Sequence, residues 1–206
     1  MNTLLVLDTS PRKDSVSRQL TQKFVSEWTT AHPNGTVLHH DIGANPPAHL
    51  DDELIDGLRR NPETLSERQT SAISASNATI EDLVQADMIV IGAPMHNFTI
   101  TGSFRTWIDH VARPGKTFGY GANGPEGLLD DKPVYILSTR GGQYGDGDPE
   151  TPHPVDFQSD YLRHIFAFIG IRSVNIIAAN GMDMGDEPRA KGIKNAEDAI
   201  KAIFVS

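Results

Sequence analysis

The chain has 206 residues, a formal net charge of −9 and no cysteine. That length suits a single α/β domain, residues 1–206, with a full core. The missing cysteine excludes disulfides, thiolate catalysis and cysteine-held zinc or iron–sulfur clusters. The acidic balance argues against nucleic acid, because phosphate backbones are met by basic faces.

The chain opens on Leu4-Leu5-Val6-Leu7, a short apolar run with polar flanks, as expected of a strand buried on both faces. It carries no basic n-region or small-residue cleavage site, so the expectation is a cytoplasmic protein without a secretory signal. No apolar run reaches the roughly 18 residues of a bilayer span, and no membrane association is expected. Leu20, Phe24, Trp28 and Ala31 then recur at helical steps, and Thr36-Val37-Leu38-His39 follows a Pro-Asn-Gly turn as a second strand. The stretch from Asp51 to Val84 is polar and helical, broken around Asn61-Pro62, with a capping box over Ser66 to Gln69.

Met88-Ile89-Val90-Ile91 is the third strand, and a helix from Thr101 to Val111 puts Phe104, Trp107, Ile108 and Val111 on one face. Val134 to Leu137 and Val174 to Ile177 are the fourth and fifth strands, with a helix over Tyr161 to Phe168 between them. A closing amphipathic helix runs from Glu187 to Val205. Strands alternating with helices imply right-handed crossovers and a doubly wound parallel sheet, in the order 2-1-3-4-5. Two long segments, Pro114 to Lys132 and Gln143 to Asp156, read as loops that wall a site or reach a partner.

In such a sheet ligands bind beyond the carboxyl ends of the strands, so three turns matter. After strand one, Ser10, Ser15 and Ser17 offer hydroxyls beside a helix N-terminus, a setting for a phosphate dianion or simply for helix capping. After strand three, Met95 and Phe98 could flank a flat ring and Asn97 could bond its edge; a plain β–α turn would also explain them. After strand four, Gly141-Gly142 would let backbone N–H groups approach a ligand closely and stabilise negative charge on it; a plain turn would also explain them. The adjacent His39 and His40 should face opposite ways and share no metal, and His153 and His164 lack partners at ligand spacing. No G-x-S-x-G elbow is present.

Taken in order, the serine loop, Ala93-Pro94-Met95-His96-Asn97-Phe98, Asn123-Gly124-Pro125-Glu126-Gly127-Leu128 and Thr139-Arg140-Gly141-Gly142 resemble the FMN-dependent NADH:azoreductases, which also reduce quinones. The resemblance covers essentially the whole chain and implies a flavodoxin-like α/β fold. It implies that Ser10, Ser15, Val16 and Ser17 hold the FMN phosphate. Met95, His96, Asn97 and Phe98, with Thr139, Arg140, Gly141 and Gly142, would hold the isoalloxazine. It further implies a homodimer whose sites are completed by the partner, with Phe118 and Tyr120 as pocket walls and Arg59 or Arg60 at the entrance. Family members usually carry Tyr or Trp where this chain has His96, which puts substrate preference or pH profile in question. The implied reaction is ping-pong, from NADH or NADPH to quinones and azo compounds, with no side-chain nucleophile or metal. A flavodoxin-type electron carrier is the alternative on the same fold.

Overall fold

The computed structural model describes residues 2–59, 64–122 and 124–205, with Arg59 described by its backbone alone. Five strands form one parallel sheet: β1 (Thr3–Asp8), β2 (Thr36–Asp41), β3 (Met88–Pro94), β6 (Val134–Thr139) and β7 (Val174–Ala179). Their spatial order is β2-β1-β3-β6-β7, the expected 2-1-3-4-5 of the core strands. The helices are α1 (Val16–Ala31), α2 (Asp52–Arg59), α3 (Glu67–Gln85), α4 (Gly102–Val111), α5 (Phe157–Phe168) and α6 (Asp186–Phe204).

Side chains alternate across β1, and that alternation divides the core. Leu4 and Val6 join Phe24 and Trp28 of α1 and Ile200 of α6 on one face. Leu5 and Leu7 join Leu83 of α3, Phe104 of α4 and Phe166 of α5 on the other. Both faces are therefore covered, which explains why the strands read as continuous apolar runs rather than alternating ones.

Helix starts follow their local chemistry. Ser66 Oγ accepts from Gln69 N and the Gln69 side chain bonds back to Ser66 N, the reciprocal box expected from sequence. Thr101 caps α4 through Phe104 N. Helix α5 begins at Phe157 rather than Tyr161, because Asp156 caps it through Ser159 N and the polar Gln158 and Ser159 of its first turn are buried. Gln158 there bonds Ser138 and the Ala93 carbonyl.

The segment from Pro114 to Lys132, expected as a loop, contains an antiparallel hairpin of β4 (Phe118–Gly121) and β5 (Gly124–Gly127). Its glycines and Pro125 are poor strand formers, so propensity gave no hint of it. The hairpin is fastened to the end of α5: Leu129 N donates to Ile169 O at 3.0 Å, and the Phe118 ring lies 4.5 Å from Phe168. Among the described residues, no helix is long and apolar enough to cross a membrane.

Candidate functional site

The register brings the three turns to one rim. Asp8 at the end of β1 pairs with Gly92, and Pro94 at the end of β3 pairs with Thr139 of β6. Hydrogen bonds then stitch turn to turn. Thr9 N and Oγ1 both donate to Gly92 O, at 3.1 and 2.9 Å. Thr101 and Ser103 hydroxyls donate to Thr9 O, and Met95 N donates to Thr139 O at 2.8 Å. The turns are thus fixed to one another by the protein's own hydrogen bonds.

Between the turns lies a cleft of about 170 Å³. Ser10, Ser15 and Val16 border it from the first turn, Met95 and His96 from the second, and Thr139, Arg140 and Gly141 from the third. Ser17 sits just behind, fully buried, with its hydroxyl 3.2 Å from that of Ser15. Ser15 is the N-cap of α1, accepting from Arg18 N at 3.4 Å. Capping and cleft-lining therefore coincide in one residue. The N–H groups of Val16 and Ser17 have no protein acceptor among the described residues, although both residues are buried. Open donors at a helix N-terminus carry partial positive charge.

The second turn is strained. His96 and Thr99 exchange both backbone hydrogen bonds, each at 3.0 Å, around Asn97 at φ 47° and Phe98 at φ 68°. Asn tolerates this left-handed region, but a bulky aromatic there costs energy. Strain of this kind persists where the surroundings over-determine it, commonly at ligand sites. His96, Asn97 and Phe98 are all exposed.

In the third turn, the carbonyls of Gly141 and Gly142 are taken by Asp183 N and Gly181 N. Their own N–H groups meet no protein acceptor among the described residues. A Cβ on Gly141 would stand 2.5 Å from Asp183 Oδ2 and one on Gly142 3.2 Å from the Tyr144 ring, so a side chain at either place would push a neighbouring side chain aside. Tyr144 was not singled out from sequence. Its ring stands edge-on to Phe98 at 6.0 Å and joins the second turn to the third.

Arg140 borders the cleft but turns its guanidinium away. It pairs with Asp156 at 2.9 Å and donates to Ser138, Ser159 and the carbonyls of Tyr144 and Gly145. Its backbone N–H is spent on Ala179 O. The side chain thus holds the loop from Gln143 to Asp156 rather than facing a ligand. Burial pulls its pKa below the usual arginine value, against the opposing pull of Asp156.

Phe118 and Tyr120 are not at this rim. Phe118 is buried on Phe168, and Tyr120 stands 74% exposed on a hairpin anchored where α5 ends, at the opposite end of the sheet. The Arg59 side chain, Arg60 and Asn123 lie outside the described residues. His39 and His40 face different partners, Asp8 and Asp82, each at 2.8 Å. Among the described residues no cluster of His, Asp and Glu could hold a metal. A larger cavity of about 590 Å³ lies between α2, α3 and α4, lined by such residues as Ile42, Leu54, Ala75 and Trp107, and none of the three turns reaches it.

A family model described as flavodoxin-like fold matches residues 2–204. The chain is 40% identical over 204 residues to FMN-dependent NADH:quinone oxidoreductase 2 of Pseudomonas fluorescens, covering 98% of this chain and 100% of that one. This chain belongs to the flavodoxin-like family that contains those oxidoreductases. An FMN-dependent NADH:quinone oxidoreductase from Nostoc sp. is 40% identical over 97% of each chain. Among solved structures, azoreductase from Bacillus anthracis superposes with a TM-score of 0.83 at 27% identity, covering 98% of this chain and 100% of that one. These relatives are named as oxidoreductases, which favours an enzyme over an electron carrier.

Proposed function

We propose that the protein is an FMN-dependent oxidoreductase that passes two electrons from NADH to quinones and azo compounds. The observation that carries the reading is the meeting of two sets of open backbone donors at one rim. Val16 presents its own beside the Ser15 hydroxyl, with Ser17 just behind; Gly141 presents its own across the cleft, with Gly142 next in the same turn. The first set fits a phosphate monoester, and the second fits the polar edge of a flat ring. When bound, FMN supplies the redox chemistry, accepting hydride from the nicotinamide and delivering an electron pair to the acceptor in a ping-pong cycle.

The chain's own residues bind, orient and screen. Ser10, Ser15, Val16 and Ser17 anchor the phosphate end. Met95 to Phe98 and Thr139 to Gly142 would hold the ring, and the Gly141 and Gly142 N–H groups would stabilise negative charge on it. Tyr144 and Phe98 meet edge to face beside the cleft and tie the second turn to the third.

The same reading includes a homodimer. A cleft of about 170 Å³ is smaller than the roughly 300 Å³ or more of a formed small-molecule pocket. Phe98 and Phe157 are exposed near its rim, and Tyr120 is exposed at the far end of the sheet. A second copy would supply the missing wall, and Tyr120 could line a cleft only in that way.

The test is an absorbance spectrum of purified protein before and after anaerobic NADH, followed by a quinone. Oxidised flavin bands that bleach with NADH and return with the quinone are expected. A colourless protein that takes up no added FMN would overturn the reading, and a bound flavin that NADH cannot bleach would favour a carrier.

A further inference from the structure

Arg18 occupies the first turn of α1, where a cation opposes the helix dipole. It is nonetheless the most heavily engaged side chain around the serine loop. Its Nη2 donates to Ser10 O at 2.7 Å and its Nε donates to Arg12 O at 3.0 Å, so two carbonyls of the loop are gripped by one rigid fork. The same guanidinium forms a two-point pair with Asp41 at 2.6 and 2.8 Å and lies 3.7 Å from Asp8. The Arg18 side chain is only 11% exposed, so solvent screens these contacts weakly.

The turn after β2 closes over this junction. Gly43 N donates to Asp8 O at 2.9 Å, and a Cβ on Gly43 would stand 1.9 Å from Ser10 O and 3.0 Å from Arg18 Nη2. Asp41 in turn accepts from Ala44 N. Two consequences follow. The backbone from Ser10 to Arg12 is held from behind, through its carbonyls, leaving the cleft side to the Ser15 hydroxyl with that of Ser17 behind it. Asp8 and Asp41, two carboxylates close to a proposed dianion site, are offset by the cation between them, with His39 on the outer oxygen of Asp8.

We propose that Arg18 is a positioning residue for the phosphate end of FMN: clamped by Asp41 and Asp8, it fixes the serine loop and sets the preference for FMN over riboflavin. The proposal rests on the reading that Ser15 and Ser17 meet the phosphate. Lys could keep the charge but not the fork that reaches two carbonyls and a carboxylate together.

Flavin-free protein titrated with FMN and with riboflavin, followed by flavin fluorescence, tests it. Arg18→Gln should weaken FMN by about tenfold or more, the scale of a lost charge-assisted contact, and change riboflavin by less than about twofold. Arg18→Lys should recover part of the FMN loss. Equal losses for both flavins, or no loss for either, would overturn the proposal. The double variant Ser15→Ala/Ser17→Ala separates the underlying reading: an unchanged FMN-to-riboflavin ratio there sinks the phosphate assignment itself. Should riboflavin bind too weakly to titrate, or Arg18→Gln fail to fold, the ³¹P resonance of bound FMN in Arg18→Lys decides. A displaced signal supports the clamp, and an unmoved one overturns it.

Discussion

The guanidinium of Arg140 and the carboxylate of Asp156 meet at 2.9 Å with their side chains 0% and 4% exposed. Asp156 also caps α5, and Arg140 also holds the Tyr144 and Gly145 carbonyls. One buried pair therefore ties the last turn of the cleft to the helix that follows it. Asp156→Ala should cost about 3–5 kcal/mol, because it strands a buried cation rather than removing a pair. Urea unfolding measures the loss. Flavin affinity should fall with it, since Tyr144 is carried on the released loop.

A second tight contact sets the hairpin. A Cβ on Gly127 would lie 2.1 Å from Gly170 N, and Gly170 itself has φ 111° over the Leu129 carbonyl. Neither glycine can take a side chain without backbone movement. Gly127→Ala should destabilise by about 1–3 kcal/mol, the usual scale of overpacking. If Tyr120 completes a neighbouring subunit's site, the variant should also dissociate at higher concentrations than wild type. Light scattering over a dilution series checks that.

These two contacts mark where sequence reading stops. The strands were legible because a doubly covered sheet leaves apolar runs such as Met88 to Ile91, and the Ser66 box because capping is local. The rim was legible because topology assigns all three turns to it. What escaped was set by distant partners. Arg140, in a glycine turn, looks like a ligand-facing cation until Asp156 is placed beside it. Gly127 looks like a loop residue until Gly170 is brought against it. Phe118 and Tyr120 belong to the proposed pocket only through another copy, which no pattern within one chain can place.

Acid stability should follow two carboxyls. The Arg18 guanidinium, by hydrogen bonding, holds Asp41 below the ordinary aspartate range. The Ser173 hydroxyl, then the Ser173 and Arg172 N–H groups, do the same for Asp131. Both folded values lie below the roughly 3.9 of a free aspartate, so the unfolded chain takes up protons first. Their stabilisation is complete above that value and is lost as pH falls through the lowered folded values. Asp131→Asn should therefore lose stability less steeply than wild type from about pH 5 downwards. Melting temperatures across that window measure it, and parallel curves would contradict the assignment.

His96 and Phe98 sit two residues apart in the strained turn, yet they should respond oppositely. His96 contributes its backbone N–H and C=O to Thr99, and its side chain is exposed. His96→Tyr should keep the turn and leave FMN affinity within about twofold, the scale of a surface change that breaks no special feature. Quinone preference should change instead, because the imidazole at the border of the cleft is replaced by a larger phenol ring. Phe98, at φ 68°, has no such freedom. A β-branched replacement is worse tolerated in the left-handed region than the native ring, so Phe98→Val should add strain of about 1–3 kcal/mol and also lose the Tyr144 contact. Flavin release on dilution should be faster in Phe98→Val than in His96→Tyr. The reverse order would mean that side-chain chemistry at His96, and not turn geometry, holds the ring in place.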